Sequence, residues 1–118
     1  MIKPEERSIL HQYIILDMAI RSLQQDYSAF ENLKMSKVFV PIVDGVLKTI
    51  RSDFYNNKRL LTQKGIRVVK WVKTDEYFSE VTIATNGEDL VLQYANQAIK
   101  TQVEKLIIEY LKSHSFEK

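Results

Sequence analysis

Residues 41–62, PIVDGVLKTIRSDFYNNKRLLT, decide how the chain is organised. Val43, Leu47, Ile50, Phe54 and Leu61 recur at the spacing of one helix face, and Ile42 and Val46 widen the stripe. So broad an apolar face exceeds what a solvent-facing helix carries, which puts this helix at the centre of the core. Pro41 suits a first turn, where its missing N–H costs nothing. Lys58, Arg59 and Lys64 lie near the other end, where positive charge favours the carbonyl pole. Gly65 can take the left-handed conformation that stops a helix.

Downstream, residues 66–73 are rich in β-branched side chains and read as a strand. Strict alternation puts Ile66, Val68 and Val72 on one face and Arg67, Val69, Trp71 and Lys73 on the other. After the polar turn Thr74-Asp75-Glu76, residues 77–85 form a second strand with Tyr77, Val81 and Ile83 on one face, giving an antiparallel hairpin. Asn86-Gly87 marks another turn. Residues 90–92 fit a third strand, but Val91, Ala95, Ala98, Ile99, Val103, Leu106, Ile107, Tyr110 and Leu111 hold helical spacing. A helix over residues 88–112 is the preferred reading, with residues 113–118 expected to fray.

Upstream, Pro4 opens a first helix with Glu5 and Glu6 at its positive pole. Ile9, Tyr13, Leu16, Ile20, Leu23 and Tyr27 form a seam at intervals of three and four, flanked by Leu10 and Ile14. Asp17 and Arg21, and later Asp44 and Lys48, are spaced for i, i+4 surface pairs. The helix is expected to fade at Gln24-Gln25-Asp26. Ser28 and Glu31 then fit a capping box for a short helix over residues 29–33. Residues 34–40 read as a connector, extended at Val38-Phe39-Val40 because the residue before a proline avoids the α region.

The fold class that follows is α+β and mostly helical. A three-helix layer carries a short helix, with an antiparallel β-hairpin between the central and C-terminal helices, in a single domain over residues 1–118. At 45% hydrophobic and 27% charged, the chain has the make-up of a globular rather than a disordered protein. The absence of cysteine excludes disulfides and thiolate metal sites and fits a reducing compartment. Acids in the first six residues argue against a signal peptide. The longest apolar run, residues 38–43, is far short of the roughly 20 residues a spanning helix needs. The expected location is the cytoplasm, with no membrane partner.

Little here points to catalysis. His11 and His114 stand near opposite ends, no His, Asp or Glu pair has zinc spacing, and the three glycines are isolated rather than gathered in a phosphate loop. The expectation is a non-enzyme with no cofactor and no metal. Charge is more informative. Net charge is only +2, yet residues 48–73 hold eight Lys and Arg against Asp53 alone. Arg51, Lys58, Arg59, Lys64, Arg67, Lys70 and Lys73 are therefore candidate phosphate contacts, with Tyr55 and Trp71 among them. The alternative is that these charges solvate a helix end and a sheet face. The acidic turn at Asp75 and Glu76 favours that alternative. Trp71 reads either as a partner anchor or as a half-buried core residue.

Three helices followed by a hairpin, with a long helix after it, resemble the dimeric winged-helix arrangement, which implies DNA binding and pairing through the last helix. At the level of residues, Pro4-Glu5-Glu6 opening a helix, the segment from Leu47 to Phe54, and Gly65-Ile66-Arg67-Val68 are similar to a group of short, uncharacterised proteins from Bacillus and relatives, a resemblance that implies no activity. Two functions stand at this point. One is a non-catalytic interaction or regulatory protein whose partner is a protein, including a second copy of itself as a homodimer. The other is a winged-helix-like protein that binds nucleic acid through residues 48–73.

Overall fold

The structure, a computed structural model, describes residues 2–116, with side chains described up to residue 113. The elements run α1 (Pro4–Glu31), α2 (Ser36–Gln63), β1 (Arg67–Lys73), β2 (Phe78–Ala84), β3 (Asp89–Ala95) and α3 (Asn96–Phe116). This is a mostly helical α+β fold with an antiparallel sheet between the second and third helices.

α2 is the buried rod that its apolar stripe implies. Val43, Val46, Leu47, Ile50 and Leu61 are buried, and Ile50 has no exposed surface. It runs unbroken through Asn56 and Asn57, where Asn57 Nδ2 donates to the Asp53 carbonyl at 3.1 Å. Its start differs from expectation. The helix begins at Ser36, so Pro41 lies in its second turn and residues 36–40 are helical rather than extended. The Met35 carbonyl accepts from the Val38 and Phe39 N–H groups at 2.9 and 3.2 Å, closing a first turn before the proline is reached. That turn outweighs the local bias of Val40. Proline's fixed φ is itself helical, so only one backbone bond is forfeited.

The far end of α2 closes as Gly65 predicts. Gly65 has φ +72°. The Ile66 N–H donates to the Leu61 carbonyl at 2.9 Å and the Gly65 N–H to the Thr62 carbonyl at 3.0 Å, a Schellman pair with buried Leu61 and Ile66 as its apolar contact. A Cβ on Gly65 would lie 2.3 Å from Asn86 Nδ2. Gly65→Ala is expected to lower unfolding free energy by about 1–2 kcal/mol through the left-handed backbone alone, read as a lower urea midpoint at unchanged slope.

α1 buries Leu10, Ile14, Ile15, Leu16, Ala19, Ile20 and Leu23. The buried face is wider than the predicted seam, because α1 is contacted by both α2 and α3. The helix neither fades at Gln24 nor gives way to a separate short helix over 29–33. Ser28 and Glu31 fall in the last turns of α1 instead. Tyr27 shows why local signals lose here: its hydroxyl donates to Asp44 Oδ1 at 2.7 Å, tying the end of α1 to α2. Among the described residues Asp44 accepts from Tyr27, and the expected pair with Lys48 is not formed. The Asp17–Arg21 pair forms as expected, at 3.2 Å.

The sheet has three strands in the order β1-β2-β3, not the two of a lone hairpin. Residues 90–92 are strand, overturning the helical reading of residues 88–95. Leu90, Leu92 and Tyr94 turn inward while Val91, Gln93 and Ala95 stay exposed. This period-two burial is satisfied by pairing with β2, where Leu92 lies opposite Val81 and Leu90 opposite Ile83. β1 also departs from strict alternation. Val68 pairs with Ile83 but Lys70 pairs with Thr82, so Val69 is an extra residue in a β-bulge. The bulge switches faces, and Trp71 rather than Val72 follows Val68 inward; Val72 is 43% exposed. Tyr77, expected inward, lies just before β2 and is exposed, while Ser79, Val81 and Ile83 are buried.

α3 starts at Asn96, extends as helix to Phe116, and buries Ile99 and Val103. Residues 117–118, within the stretch expected to fray, lie outside the described residues. The Tyr110 hydroxyl donates to the Asp53 carboxylate on α2. Burial first, and that bond second, push the Tyr110 phenol well above the ordinary tyrosine range. Only two helices precede the sheet, so the order on which the winged-helix resemblance rested is not the order of this chain.

Helices of 28 residues at 1.5 Å per residue are about 42 Å long. The molecule is correspondingly drawn out, 52 × 33 × 18 Å with a radius of gyration of 15.9 Å, against about 13–14 Å for a rounded domain of this length.

Candidate functional site

The seven basic residues singled out in the sequence are all exposed, but the fold distributes them. Arg51, Lys58 and Arg59 are on α2, and Arg59 donates to Asn56 Oδ1 at 3.2 Å. Lys58 and Arg67 come together as lining of one cleft at the junction of α2 and β1. Lys64 faces a different depression, shared with Lys3, Glu6 and Glu88. Lys70 pairs with Thr82, in register with Val91, on the outer sheet face. Lys73 borders a groove between α1 and α3, opposite Asp26, Lys100 and Glu104. Of the seven, Lys58 and Arg67 line one cleft together although they belong to different elements.

The other candidates are accounted for by packing. His11 is hydrogen-bonded through Nε2 to Gln102 Oε1, joining α1 to α3. Its ring stacks on Tyr94 with centroids 5.9 Å apart, and Tyr94 stacks on Trp71 at 6.0 Å. This row of rings pins the inner face of the sheet to α1, and Trp71 is half-buried within it. Burial raises the Tyr94 phenol above its usual range. The side chain of His114 lies outside the described residues. Among the described residues, no three His, Cys, Asp or Glu gather closely enough to hold a metal ion, and no helix is long and apolar enough to cross a membrane.

The surface that sequence reading missed is the closed end of the α1–α2 hairpin. None of residues 24–42 is buried. Within one short stretch Leu33, Met35, Val38 and Phe39 are 44%, 57%, 48% and 44% exposed. Beside them a shallow depression of about 410 Å³ is lined by Glu31, Ser36, Lys37, Val40 and Pro41. Charge divides between the two arms: Asp26 and Glu31 on α1, then Lys34 and Lys37 across the turn and the start of α2. Among the described residues none of these four has an ion-pair partner in its own chain. The signal was present in the sequence as four large apolar residues within seven positions, but placing Leu33 in a short helix and residues 34–40 in a connector hid it.

No curated protein and no solved structure matches the chain. Residues 1–115 match the YhjD protein family, in keeping with the resemblance to a group of small proteins, and the chain belongs to that family.

Proposed function

We propose that this chain is a non-catalytic interaction protein that pairs with a second copy of itself through the closed end of the α1–α2 hairpin. The observation that carries this reading is the cluster of Leu33, Met35, Val38 and Phe39, large apolar side chains exposed together on a helical hairpin with no buried residue between 24 and 42. An apolar helix pair of this kind is stabilised by a further layer packed against it.

A second copy suits this end better than an unrelated partner because the surface is self-complementary. A two-fold axis sets the acidic end of α1 in one protomer, Asp26 and Glu31, against Lys34 and Lys37 of the other, and the reverse. It also brings the projecting Phe39 of one copy to the depression beside Val40 and Pro41 of the other. A standard interface uses roughly 20–30 residues a side, close to what residues 24–42 supply.

Sedimentation over a concentration series tests this. The wild-type chain is expected to run as a dimer, twice its 13.8 kDa. Phe39→Asp and Met35→Asp are each expected to weaken the dimer roughly thirtyfold or more, the effect of an interface anchor, with the helical circular-dichroism signal unchanged. A monomer at every concentration contradicts the reading. So does a dimer indifferent to both substitutions.

A further inference from the structure

The cleft that gathers Lys58 and Arg67 lies away from the hairpin end, and its lining has a definite chemical character. Its volume is about 440 Å³, within the size of small-molecule sites. Leu61, Ile66 and Val68 supply apolar surface, and among the described residues Lys58 and Arg67 are the only charged groups of the lining and no acid joins it. Among the described residues neither cation has an ion-pair partner. Two positive groups beside an apolar floor, with the nearby Asp17 already paired to Arg21, form a field that an anion completes.

Tyr13 adds an uncharged polar group to the lining. Its ring is held by stacking on Phe54, with centroids 4.8 Å apart. Its hydroxyl has no hydrogen-bond partner among the described residues. Burial first, and nearby Asp17 second, hold the phenol above the usual tyrosine range, so at neutral pH it remains a donor. Arg67 is placed at the rim by the Schellman turn at Gly65, which ends α2 and starts β1. Lys58 stands on the last full turns of α2 facing it.

We infer that this cleft binds a small organic anion, a carboxylate or phosphate head on an apolar body, with Lys58 and Arg67 on the head, Tyr13 donating to it, and Leu61, Ile66 and Val68 against the body. Arg67 makes the more directional contact, since its planar fork matches two oxygens of a carboxylate or phosphate while Lys58 acts as a point charge.

A titration of the ¹⁵N-labelled full chain with phenyl phosphate, benzoate and inorganic phosphate tests the assignment. Saturable shifts confined to the amides of residues 61–68 and their neighbours on α1 are expected with phenyl phosphate, with benzoate, or with both. Which of the two binds assigns the head group. Inorganic phosphate, lacking the apolar body, is expected to bind more weakly than phenyl phosphate. The double substitution Lys58→Glu, Arg67→Glu is expected to cut affinity at least tenfold. Lys64→Glu, in a separate depression, is expected to leave it unchanged. Both lysines and the arginine are exposed, so these variants keep the fold, and an unchanged thermal midpoint checks it. No saturable shift from either organic anion up to about 10 mM, a free energy of only ~2.7 kcal/mol, overturns the inference. So does binding that the double substitution leaves intact, or inorganic phosphate binding as tightly as phenyl phosphate.

Discussion

Ile50→Ala is expected to cost about 3–4 kcal/mol of unfolding free energy, within the range for deleting a buried aliphatic side chain that its surroundings cannot close over. Ile50 is the midpoint of α2's buried stripe and has no exposed surface, with Val46 and Leu47 buried one turn away and Leu16 fully buried on α1. The rigid helices on either side cannot collapse into the void, so both the lost transfer free energy and the cavity count. For a domain of this length the loss lowers the thermal midpoint by roughly 10–15 °C. Tyr55→Ala, on the same helix but 57% exposed, is the control and is expected to change stability by about 0.5 kcal/mol or less. Equal costs for the two would mean that α2 is not the wrapped rod described above.

Asn96→Ala is expected to cost about 2–3 kcal/mol, although Asn96 is a polar residue at an element boundary. Its Oδ1 accepts from the Ser79 hydroxyl at 2.5 Å, and its Nδ2 donates to the carbonyls of Asp75 and Glu76 at 3.1 and 3.0 Å. Its own N–H donates to the Tyr77 carbonyl at 2.8 Å. One side chain therefore fastens the β1–β2 turn to the start of α3. Ser79 is only 2% exposed, so truncating Asn96 leaves a buried hydroxyl without its acceptor, which costs more than the bond itself contributes. Ser79→Ala removes the orphan. In a double-mutant cycle the two losses are expected to be non-additive by about 1 kcal/mol or more. Strict additivity would show that the bond is not made in solution.

Where the sequence was legible, one physical signal dominated. The stripe from Val43 to Leu61 and the stop at Gly65 sit in the structure as read, because helix period and left-handed glycine both act locally. The β1–β2 pairing was legible for the same reason. What failed depended on contacts across the chain. Leu90 to Tyr94 satisfy both a period of two and, with the residues beyond, a helical period. Only pairing with β2 selects the strand. The bulge at Val69 leaves no mark in a run of Val, Val and Trp, yet it reverses which of Trp71 and Val72 is inside. The capping-box pattern at Ser28 and Glu31 is genuine as a pattern, but Tyr27 packed onto α2 keeps the helix going.

The candidate site divides along the same line. Lys58 and Arg67 flank a helix stop and a strand start, and that reversal folds them into one cleft. Lys64, Lys70 and Lys73 share the sequence neighbourhood but are turned by the cap, the bulge and strand alternation onto other surfaces. The exposed residues of the hairpin end escaped notice because residues 34–40 read as an extended connector, and only the fold makes them the closed end of a helical hairpin.

Reciprocal charge reversal tests the proposed pairing most directly. One variant carries Asp26→Lys and Glu31→Lys, which makes its hairpin end wholly basic; the other carries Lys34→Glu and Lys37→Glu, which makes it wholly acidic. Each alone sets like charges against each other across the two-fold axis and is expected to sediment as a monomer where the wild type is a dimer. An equal mixture of the two is expected to form a heterodimer, resolved by its intermediate mass in native mass spectrometry. If each variant dimerises as the wild type does, or the mixture associates no better than its components, the hairpin end is not where two copies meet.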